Sequence, residues 1–460
     1  MAGAIADPVG TATRLAAFPN LLGVQLATVS ADGIQAAAAG AADVDEPDAL
    51  LTTETSFRPG SITKLLTATM VLQCVDDGLV SLDDPVTMHV PSFELFAPGE
   101  AERVQVGHLL AHSSGIDAGD VFVDTGDDGD ALARYVELIR GASLLFEPGR
   151  WMSYCNGGFA LAGHLVAEVR GASWEDIARQ RVLEPLGMTS TSFLAGKDAE
   201  GVGVRGHLAG PGGVTGVPPG TLADDPMCTR GLAPAGGTLV STAGDLARLA
   251  AAHLGLPEGE GILSAGSAAV MRHLHAPAPG GVTKMAGMGL AWQVWRGEPL
   301  RPRIGGANPG QSGLVALEPD QGTALVVLTN TDQGVNAANL LLDGFGPAAV
   351  ADDDPAPDDL SPYAGRYRSH AMDLSVEVGD AGTLRLVVSG IGEARIGSVR
   401  MPGVVGDLTY TLAPIDRTTF ATPIGPIAFI DRDDAGRPQL LRWRMRASRR
   451  VGQEGAVATT

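Results

Sequence analysis

Lysine is almost missing from this chain of 460 residues: only Lys64, Lys197 and Lys284 appear among its 32 basic residues. Arginine serves wherever a plain positive charge will do. A retained lysine therefore marks a position that needs an amine able to lose its proton, which guanidinium cannot do. Cysteine is scarce as well. Cys74, Cys155 and Cys228 are odd in number and far apart, which fits neither a disulfide framework nor a zinc pattern. Basic surface is missing too: the net charge of −21 argues against nucleic acid or an anionic membrane as partner. No apolar run approaches the roughly 18 residues of a membrane span. The N-terminal stretch has no basic segment followed by an apolar core, so a signal peptide is not expected and a cytoplasmic location is.

What is present is an ordinary globular composition. A hydrophobic fraction of 45% against 18% charged residues supplies ample core, and the length suggests two or three domains. The clearest boundary is the acidic, proline-bearing stretch from Ala351 to Asp359, which reads as a linker. It divides a body at residues 1–351 from a small domain at 361–450, with the linker at 352–360 and a tail at 451–460. In the body, Leu21–Ala39 reads as two strands around Ala31-Asp32-Gly33. Helices are expected at 61–78, 104–112, 157–170 and 241–254, the last capped by Ser241 or Thr242. Two more strands are expected within 313–330. Strands at both ends with helices between predict an α+β body whose first and last segments share one antiparallel sheet. After the linker, short strands recur at about ten-residue spacing, predicting a small all-β barrel or sandwich. The body holds the acidic excess and the small domain a slight excess of arginine, which suggests electrostatic docking between them.

The chemistry centres on Arg58-Pro59-Gly60-Ser61-Ile62-Thr63-Lys64. Serine followed by lysine three residues later on a helix places hydroxyl and amine side by side. A serine hydroxyl needs a base to take its proton, and lysine can act so only where burial favours the neutral amine. Alone, such a pair is a weak signal, because a helix-start serine with a surface lysine reads the same way. Tyr154-Cys155-Asn156 adds a tyrosine able to relay a proton and an asparagine able to hold the lysine or a substrate amide.

Several segments in order carry a resemblance. They are Ser61-Ile62-Thr63-Lys64, the run Val106–Gly115 with His108 and His112, Tyr154-Cys155-Asn156, Leu183–Met188, Pro234-Ala235-Gly236-Gly237 and Ile304–Gly310. With these, the chain resembles the class C β-lactamase and penicillin-binding-protein superfamily of serine hydrolases from about residue 20 to 335. The resemblance implies a β-lactamase/transpeptidase-like body, an antiparallel sheet flanked by helices. It makes Ser61 the acylated nucleophile, Lys64 its general base, Tyr154 the proton partner and Asn156 a polar support. The backbone N–H groups of Ser61 and Ala307 would form the oxyanion hole, such donors commonly contributing about 3–4 kcal/mol each. No cofactor and no metal is implied. Ile304, Gly305 and Gly306 occupy the third motif, expected to line the substrate. There the chain departs from the family, because Ile304 stands where lysine or histidine is usual. Arg303 is adjacent but on the opposite face of a strand.

Other features rate lower. His108 and His112 have metal-ligand spacing but sit in a scaffold segment. The acidic loop Asp117–Asp130 lacks ordered calcium-loop spacing and reads as a solvated lid near the cleft. Cys155 is expected to face away from the chemistry. In Leu441–Arg446, alternation on one strand puts Arg442, Arg444 and Arg446 on one face. These read as an exposed face or a contact with the acidic body, or as a group that reaches the cleft to bind an anion, Arg446 foremost.

Leu360–Tyr367 looks like the first strand of the lipocalin-like C-terminal domain of some family members. With no export signal, the two-domain layout looks most like the penicillin-binding-protein-type thioesterases of nonribosomal peptide assembly. That resemblance implies a peptidyl thioester substrate, carried on a peptidyl carrier protein, released by head-to-tail macrocyclisation. The alternatives are a D-stereospecific peptidase or amidase, or a carboxylesterase, on the same scaffold. A third is a non-catalytic binding protein, motivated by Ile304.

Overall fold

The computed structural model describes residues 1–194, 202–222, 224–278, 284–297, 299–343, 355–380, 382–389, 395–396, 399–400, 408–423, 425–443 and 445–452. Lys197, Arg444 and the acids at 352–354 lie outside the described residues.

The body is built on an eight-stranded sheet. Its strands are β1 (Gly23–Ser30), β2 (Gly33–Gly40), β3 (Ala276–Pro277), β4 (Met285–Met288), β5 (Gln293–Trp295), β6 (Arg301–Asn308), β7 (Gln311–Glu318) and β8 (Thr323–Thr329). They run in the order β2-β1-β8-β7-β6-β5-β4-β3. The first strand pairs antiparallel with the last, Val24 opposite Thr329 and Leu26 opposite Val327. β1 and β8 are buried almost throughout, which requires cover on both faces. On one face lie α1 (Pro8–Ala16) and a late helix, α7 (Gly334–Asp343). On the other lie α2 (Thr63–Asp76), α3 (Val106–Leu110), α4 (Ala131–Leu138), α5 (Asn156–Arg170) and α6 (Ala243–Leu254).

α2 is buried on every side along its first ten residues, Thr63 to Leu72. Such a helix belongs in the middle of a core. Its buried hydroxyls are satisfied: Thr67 donates to the Pro234 carbonyl and Thr69 to that of Leu65. The expected helix at 157–170 starts one residue earlier, and Cys155 caps it by accepting the Gly158 N–H. Of the two caps considered for α6, the structure uses Thr242.

The small domain is a closed barrel. Its strands are β9 (Gly365–Arg368), β10 (Asp373–Val378), β11 (Leu384–Ser389), β12 (Leu408–Pro414), β13 (Thr419–Ala421), β14 (Ile427–Arg432), β15 (Pro438–Trp443) and β16 (Arg446–Val451). Closure by β16 against β9 leaves no exposed edge. Tyr363, Phe420 and Phe429 meet edge to face inside it, and with Tyr367 they fill the interior.

One expectation is corrected here. The alternating run Leu441–Arg446 is not a single strand: β15 ends at Trp443, and Arg446 opens β16 directly opposite it. No glycine or asparagine marks the turn, so the alternation runs unbroken through a hairpin. Arg442 and Arg446 therefore stand on different strands and do not share a strand face. Arg442 is buried.

Barrel and body meet along the segment that leads into α5. Leu145, Phe146 and Trp151 pack on Ala428, Ile430, Leu440 and Ala447. Arg150 pairs with Asp431 at 2.5 Å, and the Ser153 hydroxyl accepts the Ala447 N–H. The Tyr154 N–H donates to the Met445 carbonyl at 2.7 Å. The acidic loop joins in, with Asp117 accepting the His370 N–H and Asp120 taking both ends of the Arg446 guanidinium. These two acids are anchors for the barrel rather than a solvated lid.

Candidate active site

Ser61 lies in a short 3-10 turn, Gly60–Ile62, that runs directly into α2. The turn is tight because Gly60 takes a left-handed φ of +56° and lies against the Ala307 backbone. A methyl group on Gly60 would fall 2.7 Å from the Ala307 nitrogen, and one on Gly306 would fall 1.9 Å from the Pro59 carbonyl. The third motif is thus pressed onto the nucleophile turn.

Lys64, one turn on, is fully buried. Its Nζ lies 3.1 Å from Ser61 Oγ, 2.8 Å from Asn156 Oδ1 and 2.5 Å from the Ala235 carbonyl. All three partners are uncharged. Burial, followed by the positive charge of Arg446, holds the Lys64 amine well below its ordinary pKa. The Tyr154 hydroxyl donates to Ser61 Oγ at 2.7 Å. Burial pushes its pKa up to about 12, against the Ser61 hydrogen bond and the Arg446 charge. Asn156 is held in turn by its Nδ2, which donates to the Gly119 carbonyl.

A neutral amine has two N–H donors and one lone pair. The two short contacts of Lys64, to Asn156 and Ala235, use both donors. The lone pair then faces Ser61 Oγ, which is what proton abstraction from a serine hydroxyl requires.

The structure brings Ser61, Lys64, Tyr154 and Asn156 into one cluster, with Ala307 beside the turn. The other third-motif residues divide. Gly306 faces the nucleophile turn, but a side chain on Gly305 would meet Val335 of α7 on the far side. Ile304 is buried in the body core at 2% exposure, so it presents no open substrate-lining surface. Arg303 is turned away as expected and pairs with Asp343. Arg446 does reach the site: its guanidinium lies 4.6 Å from the centre of the Tyr154 ring, paired with Asp120.

A family model for beta-lactamases matches residues 12–343. The chain belongs to the beta-lactamase family. Penicillin-binding protein 4 of Amycolatopsis lactamdurans is 34% identical over 336 residues, spanning 69% of this chain and 85% of that protein. Among solved structures, SurE with D-Leu is similar at a TM-score of 0.76 and 26% identity, covering 98% of this chain and 100% of that one. The D-amino acid amidase from Ochrobactrum anthropi SV3, complexed with L-phenylalanine amide, is similar at 0.59 and 25%, covering 73% and 96%. As a beta-lactamase-family chain, the protein is a serine hydrolase by fold, and its SurE likeness extends over the barrel.

Three residues of this beta-lactamase-family site escape a reading of the sequence. The Ala235 carbonyl is the shortest partner of Lys64, and the motif Pro234–Gly237 carries no sign that a backbone oxygen is what it contributes. His112 stacks on the Tyr154 ring at 4.1 Å, and its Nδ1 accepts the Cys155 N–H. Its place in the Val106–Gly115 segment is the only signal. Asp120 is one acid among several in its loop. Cys155, expected to face away from the chemistry, has its Sγ on the Ile116 carbonyl and the Gly158 N–H, and burial raises its thiol to about 11, so it stays protonated. Among the described residues, no group of three or more His, Cys, Asp or Glu side chains is placed to hold a metal, and no helix is long and apolar enough to cross a membrane.

Proposed function

We propose that this protein is an acyltransferase that loads a peptidyl chain from a thioester onto Ser61 and releases it by head-to-tail cyclisation. The carrying observation is Lys64: a buried amine with both N–H groups engaged by neutral acceptors and its third contact on Ser61 Oγ. Ser61 Oγ attacks the thioester carbonyl as its proton passes to Lys64. The oxyanion is received by the Ser61 and Ala307 N–H groups. The C–S bond breaks, and the thiolate takes a proton through Tyr154. The peptide's own amine then attacks the ester carbonyl, gives its proton to Tyr154, and Ser61 leaves with the proton returned by Lys64. A thioester is activated enough to drive amide formation, so exclusion of water from the ester decides between ring and linear acid. The barrel seated on Ser153–Tyr154 supplies one wall against water. Arg446 binds an anionic group of the peptide or its carrier through Nη1, the nitrogen not held by Asp120.

A D-residue at the acyl end fits the likeness to SurE, solved with D-Leu, and to a D-amino acid amidase. The substrate is carried on a peptidyl carrier protein in the cytoplasm. The second reading, a D-stereospecific amidase or peptidase, is favoured by the amidase likeness alone. Offering a peptidyl thioester mimic ending in a D-residue separates them. A cyclic amide as the main product supports the cyclase, and linear acid alone overturns it. No Ser61 adduct with a fluorophosphonate would point to a binding protein without turnover.

A further inference from the structure

Lys64 belongs to the body and Arg446 to the barrel, yet both lie against the Tyr154 ring. Lys64 Nζ lies 4.9 Å and the Arg446 guanidinium carbon 4.6 Å from the centre of Tyr154. Arg446 does not hang loosely there. Asp120 grips it with two hydrogen bonds, its side chain is only 26% exposed, and the neighbouring Met445 carbonyl accepts the Tyr154 N–H. Among the described residues no carboxylate is in direct contact with Lys64, so the nearest fixed charge of either sign bears on its protonation. In the third motif, the residue facing the same side is the apolar Ile304.

We propose that Arg446, delivered by the barrel and braced by Asp120, is a positioning residue that supplies the fixed positive charge keeping Lys64 an amine and Tyr154 ready to give up its proton. The proposal rests on the acyl-enzyme reading but does not depend on Arg446 touching substrate. A second cation over the same ring opposes a protonated Lys64 and favours a developing phenolate on Tyr154. It is a role for the barrel in the chemical step, before any substrate is recognised.

The groups facing Lys64 are few and can be named. His112 stacks on the Tyr154 ring, and burial, with the positive charges of a protonated Lys64 and of Arg446, holds its imidazole well below the usual pKa. Cys155 is a protonated thiol. Asp120 opposes Arg446 in part, and Asp117, on the same loop, faces Cys155 rather than Lys64. The two distances to the ring centre, 4.9 and 4.6 Å, put the charges no more than about 9.5 Å apart, and at an effective dielectric near 20 a unit charge at about that distance moves a titration by roughly one pH unit. With Asp120 offsetting part of this, the shift expected is about half to one pH unit.

The test uses the full-length chain and a small neutral fluorophosphonate, which carries no carboxylate for Arg446 to bind. The rate of Ser61 labelling is followed from pH 5 to 10 in the wild type, Arg446→Gln and Arg446→Lys, with thermal melts confirming that each is folded. The acid limb should move up by about half to one pH unit in Arg446→Gln and stay near the wild-type position in Arg446→Lys. An unmoved limb in Arg446→Gln overturns the proposal, as does an equal shift in both variants, which would indicate lost packing rather than lost charge. Absence of labelling in the wild type would instead sink the acyl-enzyme reading itself.

Discussion

Gly306→Ala is the sharpest probe of how the strand positions the nucleophile. A methyl group there would sit 1.9 Å from the Pro59 carbonyl and 2.9 Å from the Ser61 and Ile62 amides. Ordinary carbon contact is about 3.5 Å, so strand and turn must part by well over about 1 Å. The clash is with backbone and cannot be relieved by a rotamer. Overpacking of this kind costs about 1–3 kcal/mol, less than a typical domain's stability of about 5–15 kcal/mol, so the protein should still fold. Displacing a reacting group by about 1 Å can cost on the order of 100-fold in rate, equivalent to about 2.7 kcal/mol of barrier. Labelling of Ser61 by a fluorophosphonate should slow by that factor. Gly305→Ala is the control. Its methyl group comes nearest the Val335 side chain, at 3.2 Å, which can turn aside, and meets the Gly313 carbonyl at an ordinary 3.7 Å, so labelling should stay within about threefold of wild type. Equal labelling in Gly306→Ala and wild type, or equal damage from both variants, would refute the placement of the strand against the turn.

Lys64→Ala and Tyr154→Phe should each abolish turnover while leaving the melting temperature within a few degrees, and substantial activity in Lys64→Ala would remove it as the base. Asp117 is held near a pKa of about 6 by burial, against an ordinary 3.8, so its stabilising, protonated form is lost as pH rises through about 6. Asp117→Asn keeps an acceptor for the His370 N–H and should therefore stabilise the protein above pH 6, by at most about 3 kcal/mol. It should do little near pH 4, and melts showing the same difference at pH 4 and 8 would contradict the buried carboxyl. Ile430→Ala, in the apolar seam between barrel and body, should cost about 2–4 kcal/mol by denaturant titration. Ser61 labelling should decline with it, since Arg446 opens β16 and the Met445 carbonyl immediately precedes it; unchanged labelling would separate the barrel from the chemistry.

Much of the catalytic cluster is legible in the sequence. The Ser61–Lys64 spacing places hydroxyl and amine together on any helix, because i and i+3 share a face. The strands 23–30 and 323–329 are legible as apolar segments bounded by turn residues, and their sharing of one sheet follows from burying both. The barrel's last hairpin is not legible, because the sequence between Trp443 and Arg446 holds no glycine, proline, asparagine or aspartate to signal a turn. Nor does local pattern decide whether Ile304 and Gly305 line the substrate, since which face of a strand looks into a cleft depends on what packs against each side.

The juxtaposition of Ser61 and Lys64 is thus determined by the sequence alone: residue type and helical period suffice to set an amine beside a hydroxyl. The setting of that amine is decided only by tertiary structure. Burial, the Ala235 carbonyl and the Asp120–Arg446 pair reach Lys64 and Tyr154 from segments as much as 382 positions downstream of Lys64 in the chain. Burial and long-range charge act through space, and no local pattern records which distant residues will arrive there.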